Sequence, residues 1–375
     1  MVADSVRMAA WANAIRRIVS PGSTVLDIGT GTGIMAFLAC QAGARRVYAI
    51  EPDEAIQLAR QAAVANGFAD RIEFIQGLST RISLPERVDV IVSDLRGLLP
   101  PYASHFLSVA DARKRFLATD GILVPRRDTM WACVVEADKA YGDLTSPWSS
   151  NEYGLTFDSA LRAVTNQWRK QKFTPEQLLT VPQCWTTIDY YTIEDPNLAG
   201  EVSAAVSRAG RGHGLAVWFE CELCEGIGYS TAPGADAPKL LFGNAFFPWP
   251  HPAALDAGDV VNFKLRADLV GGDYVWSWDT RILGQGDPQC VKADFRQSTF
   301  FGEPISPATL RKRASDYAPA LGEDGAVDRL AIGLMDGLNT LDEIARRLQA
   351  GFPDRFPDLR SALDHASELS VKYSK

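Results

Sequence analysis

The sequence predicts an α/β protein: a Rossmann-like parallel-sheet domain, then an antiparallel β-barrel domain, then a small helical or winged-helix unit. Three observations carry that prediction. Through about residue 124, short apolar strands alternate with helix-length periodic segments, the grammar of a parallel sheet covered on both faces. From Met130 onward strand-like runs dominate, and after about Phe301 helical periodicity returns. The domains are accordingly placed at 1–124, 125–302 and 303–375, in keeping with a 375-residue chain that is long for one domain.

Residues 3–18 carry Val6, Ala9, Ala10, Ile15 and Ile18 among polar positions, an amphipathic helix leading into Pro21-Gly22. Thr24–Ile28 is an apolar strand that breaks into Gly29-Thr30-Gly31-Thr32-Gly33, and Ile34–Ala39 reads as the start of a helix. Strand, glycine turn and helix in that order let backbone approach a nucleotide-like ligand closely. A second strand, Val47–Ile50, ends in Glu51, where a carboxylate can accept both hydroxyls of a ribose. Residues 54–66 form a helix with Ala55, Leu58, Ala59, Ala62 and Ala63 on one face, stopped by Gly67. Ile72–Ile75 is the third strand, ending at Gly77-Leu78-Ser79, and Val88–Asp94 is the fourth, its carboxyl end delivering Asp94. Ligands lie at the carboxyl ends of such strands, so Asp27, Glu51, Leu78 and Asp94 are expected to converge on one crevice.

In the second domain the strand-like runs are Trp131–Val135, Ile188–Ile193, Leu215–Leu223 and Val260–Leu269. The last alternates Val261, Phe263, Leu265, Ala267 and Leu269 with polar residues, so one face is buried. Residues 141–180 are polar and aromatic, with a short helix near Asp158–Trp168. In the third unit, Asn339-Thr340 caps a helix whose stripe is Leu341, Ile344, Ala345 and Leu348; a second helix carries Leu359, Ala362, Leu363, Ala366 and Leu369.

The formal net charge of −8 argues against a nucleic-acid footprint over the whole surface. No run approaches the roughly 18 apolar residues of a membrane span, and the N-terminus lacks a signal-peptide layout. A cytoplasmic protein with neither nucleic-acid nor membrane partner is expected. Cys221 and Cys224 form the only CxxC pair, inside a strand-like run and without a second pair, so neither a metal site nor a disulfide is expected.

These residues resemble class I S-adenosylmethionine (SAM)-dependent methyltransferases and, within them, the protein arginine methyltransferases. The resemblance is carried by Val25–Gly33, Val47–Glu51, Val88–Gly97, Gly121–Pro125, Ser230-Thr231-Ala232-Pro233 and Ala257-Gly258-Asp259, and spans about residues 4–282. It implies SAM as methyl donor and S-adenosylhomocysteine as product. It further implies that Asp27, Gly29, Thr30, Gly31 and Gly33 hold the methionine part, Glu51 the ribose, and Leu78 and Ser79 the adenine. Arg7 falls where the family uses an arginine against the donor carboxylate, a job for a bidentate guanidinium; the alternative is a solvated helix residue. Residues 141–180 correspond to the family's dimerisation arm, which implies a homodimer acting on a peptide or protein substrate.

The chain departs from that family at the acceptor side. Of two glutamates that grip a target guanidinium, the first becomes Asp94 and the second Ala103. Ala237-Pro238-Lys239-Leu240-Leu241 stands where a Thr-His-Trp loop is expected, and the aromatic helix that covers the donor would precede Arg7. Arg96 adds a positive charge where a cationic substrate would enter and is a candidate substrate contact. Asp94 is the candidate catalytic residue, orienting or deprotonating a nitrogen or oxygen nucleophile; it is equally suited to partner Arg96 or to cap backbone. The segment from Met335 to Ala345 resembles winged-helix domains that capture leader peptides of ribosomally made natural products. The expected activity is methylation of a peptide or protein side chain through a remodelled acceptor site. The alternatives are true arginine N-methylation and a non-catalytic, SAM-binding partner subunit.

Overall fold

A computed structural model describes residues 2–150, 152–234, 242–286 and 289–374. The chain divides into one unit over Met1–Pro304 and another over Ile305–Lys375. The first opens with α1 (Ser5–Ile18), N-capped by the Asp4 side chain, which accepts from the Arg7 N–H. There follow β1 (Thr24–Ile28), α2 (Ile34–Gln41), β2 (Arg46–Glu51), α3 (Ala55–Ala65), β3 (Ile72–Gln76), β4 (Val88–Ser93), α4 (His105–Phe116) and β5 (Leu117–Val124). The five strands form a parallel sheet in the order β3-β2-β1-β4-β5. β1 is buried along its whole length because it lies at the centre of that order. Its neighbours β2 and β4 run parallel to it, so Ile28, Glu51 and Ser93 end at the same edge.

The rest of this unit is antiparallel. It contains β6 (Arg127–Val135), α5 (Asp138–Ser149), α6 (Asp158–Thr165), β7 (Arg169–Gln171), β8 (Gln183–Asp189), β9 (Leu198–Ala205), β10 (Gly210–Cys224) and β11 (Ile227–Ser230). β12 (Asn244–Leu255), β13 (Val260–Val270), β14 (Asp273–Leu283), β15 (Val291–Ser298) and the short α7 (Thr299–Gly302) complete it. The barrel half is built from two ladders, β7-β12-β10-β6-β8 with β11 on β10, and β15-β14-β13-β9. Aromatic rings fill the space between them: Phe247 lies 5.3 Å from Trp276 and 5.1 Å from Trp278, and Trp249 Nε1 donates to Thr280 Oγ1 at 3.2 Å. β13 shows the alternation expected of it, with Val261, Phe263, Leu265 and Ala267 buried. The expected strand Ile188–Ile193 is displaced: the strand is Gln183–Asp189. Beyond it the chain turns, with Thr192 and Ile193 N–H groups donating to the Asp189 carbonyl. An apolar run alone does not distinguish a strand from the turn that follows it.

The second unit holds α8 (Pro307–Lys312), α9 (Glu323–Gly333), α10 (Leu341–Gly351) and α11 (Leu359–Tyr373). Its own core comprises Val327 and Ala331 of α9, Ile344, Ala345 and Leu348 of α10, Phe356, and Ala362, Ala366 and Leu369 of α11. A capping box between Thr340 and Glu343 starts α10. The helical expectation is met. The wing has no counterpart, since no strand occurs among the described residues of this unit. Among the described residues no helix is long and apolar enough to cross a membrane.

Candidate functional site

The glycine turn after β1 needs backbone that only glycine adopts freely: Gly29, Gly31 and Gly33 have φ of +73°, +53° and +92°. The Gly29 and Thr30 N–H groups donate to the Ile50 carbonyl at 2.8 and 3.0 Å, tying the turn to the end of β2. A Cβ on Gly31 would meet no atom within 4 Å, so the turn keeps an open side there. A Cβ on Gly29 would lie 2.3 Å from Leu95 Cδ2, which shows how closely the segment after β4 packs on the turn.

Asp27, expected to reach a ligand, is 2% exposed. Its Oδ2 accepts from Thr30 Oγ1 at 2.6 Å and from the Ala36 N–H at 3.1 Å, so it locks the turn onto the first turn of α2. Burial pushes its carboxyl up to about 7, against the two hydrogen bonds that hold it down, with Glu51 and Asp94 adding to the rise. The folded state therefore binds an extra proton between about pH 4 and pH 7, and the stability this confers is full below that window and lost as pH rises through it. We expect unfolding free energy to fall by about 1.4 kcal/mol per pH unit within the window relative to Asp27→Asn. Urea melts of both proteins across that range would show parallel lines if Asp27 were not responsible.

Glu51 Oε2 accepts from the Gly31 N–H at 2.9 Å and Oε1 from the Asp53 N–H at 3.0 Å. A carboxylate has room for about four hydrogen bonds, so it keeps capacity for two hydroxyls. Leu78 is 46% exposed, while Ser79 is buried and its carbonyl accepts from Arg115 Nη2 at 2.6 Å. Arg115, which also reaches the Ile82 carbonyl at 2.8 Å, is the unanticipated residue that fixes this turn.

Beyond the end of β4 the structure gathers charges. Arg7 is buried in α1, and its Nε and Nη2 both donate to Asp94 Oδ2, the former at 2.9 Å. Its guanidinium lies 4.6 Å from the Phe242 ring centroid. Arg96 Nε and Nη2 donate to the other oxygen, Asp94 Oδ1, at 3.2 and 3.1 Å. Arg96 Nη1 donates to Asp128 Oδ1 at 2.9 Å and to Cys221 Sγ at 2.8 Å, and Tyr190 donates its hydroxyl to Asp128 Oδ2 at 2.6 Å. Burial pushes the Arg96 guanidinium down, but Asp128, Cys221, Tyr229 and Asp94 hold it well above its ordinary value, so it stays charged. Arg96 is thus not at an entrance, as its sequence position suggested: its side chain is 0% exposed and built into the wall. Asp94 takes the other role left open for it, as the partner of Arg96. Ala103, in place of an acid, is exposed and has φ +42°, an uncommon conformation for a residue with a Cβ.

The parallel sheet order, the glycine turn after its central strand and the acid closing β2 define the class I methyltransferase fold. The family described as Ribosomal protein L11 methyltransferase matches residues 11–132, and the Arginine methyltransferase oligomerization subdomain matches residues 126–265. Protein arginine N-methyltransferase PRMT10 of Oryza sativa subsp. japonica is 44% identical over 142 residues, 37% of each chain. The match therefore spans little more than a third of that relative's length. The Arabidopsis thaliana PRMT10 is 29% identical over 299 residues, covering 71% of this chain and 78% of the relative. Its crystal structure superposes with a TM-score of 0.70 at 26% identity, over 80% of this chain and 95% of that one. The Trypanosoma brucei PRMT1 enzyme-prozyme complex with AdoHcy shares the fold, with a TM-score of 0.72 at 23% identity over 80% and 96% of the two chains. The chain is similar to protein arginine methyltransferases across both its parallel-sheet and its antiparallel half.

Proposed function

We propose that this chain is a SAM-dependent methyltransferase that modifies a peptide or protein side chain through a remodelled acceptor site. The observation that carries the reading is the meeting of the glycine turn, Glu51 and Asp94 at one sheet edge, with Leu95 packed on the turn. The residues fit a nucleoside. Gly31 leaves an open cradle, Glu51 retains lone pairs for ribose hydroxyls, and the exposed Leu78 offers an apolar face to a base. Arg7 suits a carboxylate: its Nε and Nη2 are on Asp94, and its Nη1 has no hydrogen-bond partner among the described residues. When bound, the donor supplies an electrophilic methyl on a sulfonium sulfur. The protein then has only to position a nucleophile in line with it, a task worth several orders of magnitude in rate.

Asp94 contributes as a fixed carboxylate held by two arginines, rather than as a free base. Self-association through the segment around α5 and α6 is supported by its exposed Trp148, Leu155 and Phe157 and by the description of the matching subdomain. A second reading, true arginine N-methylation, is favoured by the names of the relatives. Calorimetry with SAM and S-adenosylhomocysteine tests the first step, and saturable binding to both is expected. A chain that binds neither is not a SAM-dependent methyltransferase. Mass spectrometry of methylated peptides separates the two readings, since methylarginine supports only the second.

A further inference from the structure

The wall of the crevice beyond β4 holds four buried charged side chains whose formal charges cancel: Arg7 and Arg96 against Asp94 and Asp128. Arg96 is seated as a bound guanidinium would be. Its donors go to Asp94, Asp128 and Cys221, and its plane lies among the rings of Trp11, Phe219 and Tyr229 at 5.8, 5.6 and 5.7 Å. No carboxylate in this group keeps an oxygen unengaged: Asp94 Oδ1 is taken by Arg96, Asp94 Oδ2 by Arg7, Asp128 Oδ1 by Arg96 and Asp128 Oδ2 by Tyr190.

Polar atoms around the group nevertheless go unpaired. Ser93 Oγ, His105 Nε2 and Tyr229 Oη are buried and have no hydrogen-bond partner among the described residues. His105 Nδ1 faces the Pro100 carbonyl at 3.1 Å, so it carries the proton and Nε2 presents a lone pair. His105 sits 5.4 Å from the Tyr190 ring, next to the Asp128 end of the network. Buried polar atoms in native proteins are nearly always paired, so these three are exceptions at the edge of the ion-pair network.

We propose that Arg96 occupies the wall's guanidinium seat permanently and thereby sets acceptor class, excluding arginine and lysine side chains in favour of an uncharged nitrogen or oxygen nucleophile. This deepens the reading under Proposed function and rests on it. A cation entering beside Arg7 and Arg96 would find no free counter-charge, whereas an uncharged nucleophile needs none. In the transfer, the acceptor's lone pair forms the new bond to the methyl carbon and the sulfur–carbon bond breaks with its electron pair left on sulfur. The proton the nucleophile carried leaves to bulk water.

Two measurements test this. In the first, thermal melts of the full chain and of Arg96→Ala are run with methylguanidinium chloride, with sodium chloride as the ionic control. The wild type is expected to show no shift. Arg96→Ala is expected to melt about 2 °C higher at about ten times the dissociation constant, because the emptied seat binds the ion. A wild type stabilised by methylguanidinium, or a folded Arg96→Ala that ignores it, overturns the proposal. In the second, wild-type protein and labelled SAM are given matched peptides with arginine or with serine, histidine and glutamine. Label on the neutral peptides alone supports the proposal; methylarginine, or no label from a protein that binds SAM, overturns it, so the question is decided even if Arg96→Ala does not fold. The guanidinium melts need no methyl donor. Failure to bind SAM would sink the methyltransferase reading, while the melts still report on Arg96 itself.

Discussion

Asp94→Ala is expected to be the most damaging single substitution at the site. Among the described residues Asp94 is the only carboxylate that touches both Arg7 and Arg96, and its side chain is 3% exposed. Removing it leaves two buried guanidinium groups facing each other with Asp128 as the only remaining acid in the group. Breaking a buried ion pair from one side typically costs about 3–5 kcal/mol, because the partner's charge stays desolvated. In a unit of this size that corresponds to a melting temperature lower by about 5–8 °C. Asp94→Asn keeps an acceptor oxygen and should fall between the two. The double variant Asp94→Ala/Arg96→Met removes the stranded charge as well and should recover part of the loss, a non-additivity that contacting residues show. A loss in Asp94→Ala of under about 1 kcal/mol would mean that solvent reaches these arginines and that the network is not the closed one described.

The second large effect is on donor binding. Glu51→Gln is expected to weaken SAM by about 100-fold, since hydrogen bonds to a charged acceptor contribute about 1.5–3 kcal/mol each and every 1.4 kcal/mol is tenfold. Part of the effect comes through the loop, because Glu51 also holds the Gly31 and Asp53 N–H groups. Calorimetry gives the affinity and a melt confirms the fold. An affinity within about threefold of wild type would place the ribose elsewhere.

The donor side was legible in sequence because its signal is local. The strand Thr24–Ile28, three glycines that adopt positive φ, a helix start and the acid at the end of the next strand lie within a short stretch, and each has its own physical reason. Even there the local hydrogen bonds were not: Asp27 Oδ2 holds Thr30 and the start of α2. The acceptor side is built from segments far apart in the chain. Arg96 meets Asp128 at the start of β6, Cys221 on β10 and Tyr229 on β11, and no spacing rule links those positions. A CxxC pair inside an apolar run gave reason to discount Cys221 as a metal ligand, but no hint that it would sit against a guanidinium. The one local clue, an arginine two residues after an aspartate, fitted both an entering substrate and an internal pair; burial decided for the pair. The helical last unit was readable from its stripes and capping box. The wing was an inference from resemblance, which periodicity does not support.

The measurement that bears most directly on the proposed function is a methyl-transfer reaction with isotopically labelled SAM, the full chain and a mixed peptide pool, read by mass spectrometry with fragment mapping. The expected result is label on an uncharged side chain, lost when Asp94 is replaced while S-adenosylhomocysteine binding is retained. Label mapped to arginine would contradict the acceptor assignment. No incorporation into any peptide, from a protein that still binds the donor, would return the chain to the role of a non-catalytic partner.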